Sequence, residues 1–125
     1  PLDVRRAIEA GARGIVVSNH GGRVLDTTPA SIELLPALKA VAGEQLKVLV
    51  DGGIRRGSDV FKALALGADA VMLGRPCIYG LATAGALGVA HLLRLLREEL
   101  EMTMALCGCR EVASISRDCL LNPPE

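Results

Sequence analysis

The chain has 125 residues, half of them apolar and 2% aromatic, and its 14 Lys+Arg balance 14 Asp+Glu to leave no net charge. A neutral chain poor in rings lacks the basic stripe and stacking platforms of a nucleic-acid binder, and an apolar half with 22% charged residues is not a disordered composition. No apolar run nears the roughly 18 residues of a membrane span, and the opening Pro1-Leu2-Asp3-Val4-Arg5-Arg6 has no basic head leading into an apolar stretch, so neither a span nor a secretory leader is expected.

The first element is a short helix with Asp3 as its cap, Val4, Ala7 and Ile8 at i, i+3, i+4 spacing, and Gly11 as its stop. Ile15-Val16-Val17 then forms a short continuous apolar run, which indicates a strand buried on both faces in a parallel sheet. After Asp26-Thr27-Thr28-Pro29, the stripe Ile32, Leu35, Leu38 and Val41 predicts a second helix, interrupted at Pro36 with a restart there. Val48-Leu49-Val50 is the second strand. A third helix is capped by Gly57 or Ser58, turns Val60, Phe61, Leu64 and Ala65 to the sheet, and ends at Gly67.

The third strand lies in Gly67-Ala68-Asp69-Ala70-Val71-Met72-Leu73-Gly74, which repeats the pattern Gly11-Ala12-Arg13-Gly14-Ile15-Val16-Val17-Ser18. The last helix runs from about Ala86 to Leu106, with Val89, Leu93, Leu96 and Leu100 buried and Arg94, Arg97, Glu98, Glu99 and Glu101 solvated. His91 in this helix is read as structural. The order α-β-α-β-α-β-α gives an α/β fold with parallel strands and no linker. A (β/α)8 barrel needs eight strands and typically about 250 residues. Three strands leave two open edges, so the isolated chain is expected to be marginal, aggregated or dependent on a partner. The chain begins with Pro rather than Met, so a fragment or processed product is expected.

Cys77, Cys107, Cys109 and Cys119 lack the spacing of a secreted disulfide scaffold, which points to a reducing compartment. Cys107-Gly108-Cys109 has no second ligand pair at zinc-like spacing, so reduced, half-buried thiols and no metal site are expected.

In parallel β/α folds the reactive residues sit at the C-terminal ends of the strands. Here those ends are Ser18-Asn19-His20-Gly21-Gly22-Arg23, Asp51-Gly52-Gly53-Ile54-Arg55-Arg56-Gly57-Ser58 and Gly74-Arg75-Pro76. Gly52 and Gly53 free the backbone N–H groups to approach an anion. The next helix adds its N-terminus near Ser58. Arg55 and Arg75 offer two guanidinium forks suited to phosphate. His20, at the mouth of the site, suits a general base, and Arg23 could pair with a substrate carboxylate.

The run Ser18-Asn19-His20-Gly21-Gly22-Arg23-Val24-Leu25-Asp26 closely resembles the active-site signature of the FMN-dependent α-hydroxy acid oxidases and dehydrogenases, the family of glycolate oxidase and L-lactate oxidase. Asp51 to Ala68 and Gly74-Arg75-Pro76 resemble its FMN-phosphate segments. Thr103-Met104-Ala105-Leu106 with Gly108-Cys109-Arg110 resembles its closing helix. The similarity runs from about Leu2 to Leu120. It implies that residues 1–125 are the C-terminal part of a TIM (β/α)8 barrel, a half-barrel fragment of the FMN hydroxy acid dehydrogenase domain.

By this resemblance His20 is similar to the family's catalytic base, and Arg23 to its substrate-carboxylate anchor. Ser18, Asp51, Gly52, Gly53, Ile54, Arg55, Gly74 and Arg75 match its FMN-binding positions. The implied reaction oxidises a small L-2-hydroxy acid to the 2-oxo acid, leaving open whether the C2 hydrogen departs as a proton or a hydride. Also left open is whether oxygen, a quinone or a cytochrome takes the electrons. A full-length parent is expected to be a homo-oligomer inside the cell, cytoplasmic or peroxisomal; Asn122-Pro123-Pro124-Glu125 is not a peroxisomal address.

Two departures stand out. Val24 replaces the Gln of many members. The family's active-site tyrosines, its lysine near the flavin, its second substrate arginine and the acidic partner of its histidine belong to an earlier segment, and the only aromatics here are Phe61 and Tyr79. Alone, the chain is expected to bind flavin weakly or not at all and not to turn over. The phosphate segment by itself also suits other FMN barrels, such as IMP dehydrogenase-like or type 2 isopentenyl diphosphate isomerase-like enzymes, but His20 with Arg23 argues against these. A third reading is a truncated product that acts by pairing with another chain.

Overall fold

The computed structural model describes residues 1–121. Its strands β1 (Gly14–Val17), β2 (Lys47–Val50) and β3 (Ala70–Val71) form one parallel sheet in the order β1-β2-β3. Val17 pairs with Val50, and Val50 in turn with Val71, so the three strands end level with one another. The repeat is real: Gly11 and Gly67 both take positive φ, 78° and 102°, and each is followed three residues later by a strand.

One sheet face is covered. Val17, Val48 and Val50 pack with Leu35, Leu46 and Ala63 beneath helices α1 (Leu2–Glu9), α2 (Ser31–Ala42) and α3 (Gly57–Ala65). Each fully buried Leu or Val contributes roughly 1.5–3 kcal/mol. The opposite face is open: Val16 is 47% and Met72 44% exposed. The expectation of strands buried on both faces therefore fails here. Side chains alternate across a sheet, and the second face is one that three strands cannot curl round to enclose.

The helices depart from expectation in instructive ways. Asp3 lies inside α1, whose N-cap is Pro1, and pairs with Arg6 at 3.2 Å. Helix α2 runs through Pro36 without a break. Pro36 stands at the middle of α2, where its missing N–H forfeits the bond to the carbonyl of residue 32, and burial of Leu35 and Ala42 holds the helix on the core. The N-cap of α3 is Arg56 rather than Gly57 or Ser58. Phe61 does not face the sheet; it anchors a second cluster with Met104 and Cys109.

Helix α4 (Arg75–Leu106) starts earlier than expected and kinks at Ala84 and Gly85, where the backbone leaves helical geometry. The segment from 86 is the long helix the sequence predicts; the segment before it, which carries Tyr79, was missed. At the kink the two halves cross so closely that a Cβ on Gly88 would strike the Gly80 carbonyl. Leu96 is buried as predicted, but Leu93 is 48% exposed.

No charge interrupts the chain between Arg75 and Arg94. By length and composition alone, an 18-residue window of α4 with mean hydropathy 1.4 is apolar enough to cross a membrane, which the expectation from apolar runs missed. The kink at Ala84 and Gly85, however, breaks it into two segments that cross each other.

Candidate active site

The loop after β1 is folded by Asn19. Its N–H donates to Ser31 Oγ (3.1 Å) and its Nδ2 to the Pro29 carbonyl (3.3 Å), while its Oδ1 accepts from the Gly21 N–H (3.1 Å). Such side-chain turns are the local option open to Asn. They tie the loop to the start of α2 through Ser31, the buried polar side chain among the described residues. Ser18 Oγ accepts from the His20 N–H at 3.1 Å. His20 sits at φ 54°, rare for a side-chain-bearing residue, and its ring is exposed at the sheet's C-terminal rim.

The loop after β2 turns on Gly52 and Gly53, with φ of 87° and 79°. A Cβ at Gly52 would lie 3.2 Å from Asn19 Oδ1 and 3.5 Å from Ser31 Oγ, so the first two loops touch there. Gly53 has open space where a side chain would stand. Ile54 is buried in the main core and pins the loop, whereas Arg55 points outward. Asp51 Oδ1 is buried and has no hydrogen-bond partner among the described residues.

The α3 N-terminus does not serve the anion role expected of it. The N–H groups of Arg55 and Arg56 donate to Asp59 Oδ2 at 3.0 and 2.9 Å, and that of Gly57 donates to Glu99 Oε2 at 2.7 Å. Asp59 of α3 itself and Glu99 of α4 already occupy these donors.

After β3, Gly74 begins α4 with no side-chain cap. Arg75 Nη2 donates to the Gly21 carbonyl at 3.3 Å, bridging the third loop to the first. All three loops line one open groove of about 1180 Å³. The groove takes in Ser18, His20 and Arg23 from the first loop, Asp51, Gly52, Gly53, Ile54 and Arg55 from the second, and Gly74 and Arg75 from the third. Every site residue nominated from sequence is thus brought to it. Sequence reasoning missed Asn19 and Ser31, and it also missed the far wall, where α4 contributes Tyr79 and His91. His91, read as structural, faces this groove and is exposed.

The groove suits an elongated anion carrying hydroxyl groups. Arg55 and Arg75 can fork onto a phosphate, the Gly53 backbone leaves room for close approach, and the orphan Asp51 oxygen can accept from a hydroxyl. This donor and acceptor set fits the ribityl phosphate of FMN. Among the described residues no cluster of three or more His, Cys, Asp or Glu is placed to hold a metal.

Comparison with known proteins agrees with the geometry. A family described as FMN-dependent dehydrogenase matches residues 1–122. The chain is similar to an L-lactate oxidase of Roseobacter sp. (strain GAI101), 60% identical over 120 residues, covering 96% of this chain and 32% of that protein. It is also similar to a peroxisomal (S)-2-hydroxy-acid oxidase of Oryza sativa subsp. japonica, 60% identical over 116 residues, covering 92% of this chain and 31% of that protein. Crystal structures of mandelate oxidase superpose on it, one with benzoyl-formic acid at TM-score 0.89 and 54% identity, covering 93% of this chain and 35% of that one. A mandelate oxidase variant with a monooxide FMN adduct also aligns at TM-score 0.89. The chain spans about a third of the length of these relatives. Its three parallel strands and their helices are part of a TIM barrel, and the chain belongs to the FMN-dependent dehydrogenase family.

Proposed function

We propose that this chain is the C-terminal, FMN-phosphate and catalytic-base portion of an enzyme that oxidises a small L-2-hydroxy acid to the 2-oxo acid. The observation that carries this reading is the meeting of three strand-end loops in one groove, with Arg75 of the third bonded to Gly21 beside His20 of the first. FMN, when bound, supplies the two-electron acceptor. The chain's own residues do the rest. Arg55, Arg75 and the Gly52–Gly53 turn hold the phosphate end, and Asp51 accepts from the sugar-alcohol chain. Ser18 stands beside the ring end.

Arg23 holds the substrate carboxylate in a two-point grip and so fixes C2 relative to His20. His20 takes one proton from the substrate. Its exposed ring has no hydrogen bond to a carboxylate among the described residues, so an acidic partner from the rest of the barrel is required to orient it. The names of the lactate and 2-hydroxy-acid oxidases support the substrate class. We place the parent protein inside the cell, cytoplasmic or peroxisomal, with the rice relative's name supporting the latter, and expect it to be a homo-oligomer.

The test is a chimera in which this chain replaces the matching segment of the Roseobacter L-lactate oxidase. Without oxygen, the chimera loaded with FMN should bleach on addition of L-lactate or glycolate, whereas the 125-residue chain with FMN should not. A folded, flavin-loaded chimera that no 2-hydroxy acid bleaches would overturn the reading.

A further inference from the structure

Away from the groove, the end of α4 and the tail that follows it place two thiols side by side. Cys109 Sγ lies 3.7 Å from Cys119 Sγ, and neither sulfur is in a disulfide. Cys109 is buried just past Gly108, which takes φ 72° and turns the chain out of α4. Cys119 is half-buried and closes the single-turn helix Arg117–Cys119, which lies against α3. Both thiols pack on Phe61, Met104, Leu100 and Ile115. Cys107, two residues from Cys109, is exposed instead.

We propose that Cys109 and Cys119 are a peroxide-sensitive dithiol whose oxidation to a disulfide staples the C-terminal tail to the α3–α4 end. The oxidant is hydrogen peroxide. The thiolate of the more accessible Cys119 attacks one peroxide oxygen, breaking the O–O bond and releasing hydroxide, which takes up a proton to become water. The sulfenic acid formed on Cys119 is then attacked by Cys109, which expels a second water and leaves the S–S bond. Two thiols thus lose two electrons and two protons, and one peroxide becomes two waters. Excess small-molecule thiol reverses the link by exchange.

Geometry favours this pairing. A disulfide needs its sulfurs at about 2.04 Å, and the two already touch at 3.7 Å, so the remaining approach must come from side-chain rotation. Burial and the neighbouring Cys119 push the Cys109 thiol up, which leaves Cys119 as the sulfur that meets peroxide first.

The test is non-reducing peptide mapping of the folded chimera after limiting hydrogen peroxide, read on the peptides this chain contributes. Trypsin cuts at Arg110 and Arg117, between the two cysteines, so a link holds two peptides together, and fragmentation across Gly108 separates Cys109 links from Cys107 links. In native buffer Cys109–Cys119 should exceed Cys107–Cys119 by about tenfold or more, as held geometry allows. In concentrated urea the two should be near equal. Cys107→Ser should leave the link intact, and Cys119→Ser should leave Cys109 open to alkylation. Equal pairing in native buffer, or both sulfurs remaining alkylable after peroxide, would overturn the proposal.

Discussion

At the scale of single residues, His20 and Gly52 carry the sharpest expectations. In the flavin-loaded chimera His20→Ala should lower turnover by roughly 10²–10⁴-fold, the ordinary contribution of a positioned base, while leaving flavin content unchanged. Stopped-flow bleaching and the flavin-to-protein absorbance ratio read these separately. Gly52→Ala should do the reverse. Its φ of 87° strains any side chain, and the new Cβ would press on Asn19 Oδ1 at 3.2 Å, displacing the turn proposed to hold the phosphate. Flavin should be lost on gel filtration even where the fold survives. That His20, Arg23 and the glycines gather at one rim was legible because each lies in a loop that opens at the end of an apolar run. Asn19 and Ser31 were not. Their bond joins residues far apart in sequence and is fixed only when α2 docks. That His91 lines the groove was not legible either, because its helix alone does not show what lies across from it.

At the scale of elements, two contacts hold the frame around the loops. Gly57 lets α3 lie directly on α4: a Cβ there would fall on the backbone of Glu99 and Leu100. Gly57→Ala should therefore cost about 1–3 kcal/mol, the usual penalty of overpacking, seen as a lowered Tm of the chimera. The second contact is ionic. Asp69 accepts from Val48 N–H (2.9 Å), Lys39 Nζ (3.0 Å) and Lys47 Nζ (3.0 Å), fastening β3 to β2 and α2. Burial would push the Asp69 carboxyl up, but these three donors together outweigh it and hold its pKa at about 2. A carboxylate whose pKa is depressed by folding contributes stability above its unfolded value, near 3.9, and loses it as pH falls toward the folded value. Asp69→Asn should thus lower stability at neutral pH by on the order of 1 kcal/mol, after allowing for solvent screening. Urea titrations should show that gap narrowing from about pH 5 downward and closing only below about pH 2. Helix existence was legible from periodicity, but helix facing was not always so. Phe61 sits in the apolar stripe of α3 yet packs on the tail, and Leu93 fits the spacing of α4 yet is exposed, because a spacing rule gives a face without naming what covers it.

At the scale of the whole molecule, the alternation α-β-α-β-α-β-α was enough to give the parallel sheet and the rim where the loops meet. What the pattern could not give was the state of the second sheet face. Continuous apolar strands read as buried twice over, yet in this chain one face is covered and the other presents Val16 and Met72 to solvent. The helical side continues the same exposure, with Ile78, Leu81 and Leu87 of α4 uncovered, and β1 and β3 are both edges with unpaired backbone groups. Apolar area of this kind is contiguous rather than scattered, and open parallel edges add directional hydrogen bonds to it. The 125-residue chain should therefore self-associate when isolated. Sedimentation velocity should show species larger than 13.1 kDa whose share grows with concentration. Added salt should strengthen the association rather than dissolve it, since the chain carries no net charge to screen and the driving term is apolar burial. Grafted into the chimera, the same surface is covered by the remaining strands, and this concentration-dependent association should vanish. A monodisperse 13.1 kDa monomer at all concentrations would mean that three strands close their core unaided, which the exposure of Val16 and Met72 argues against.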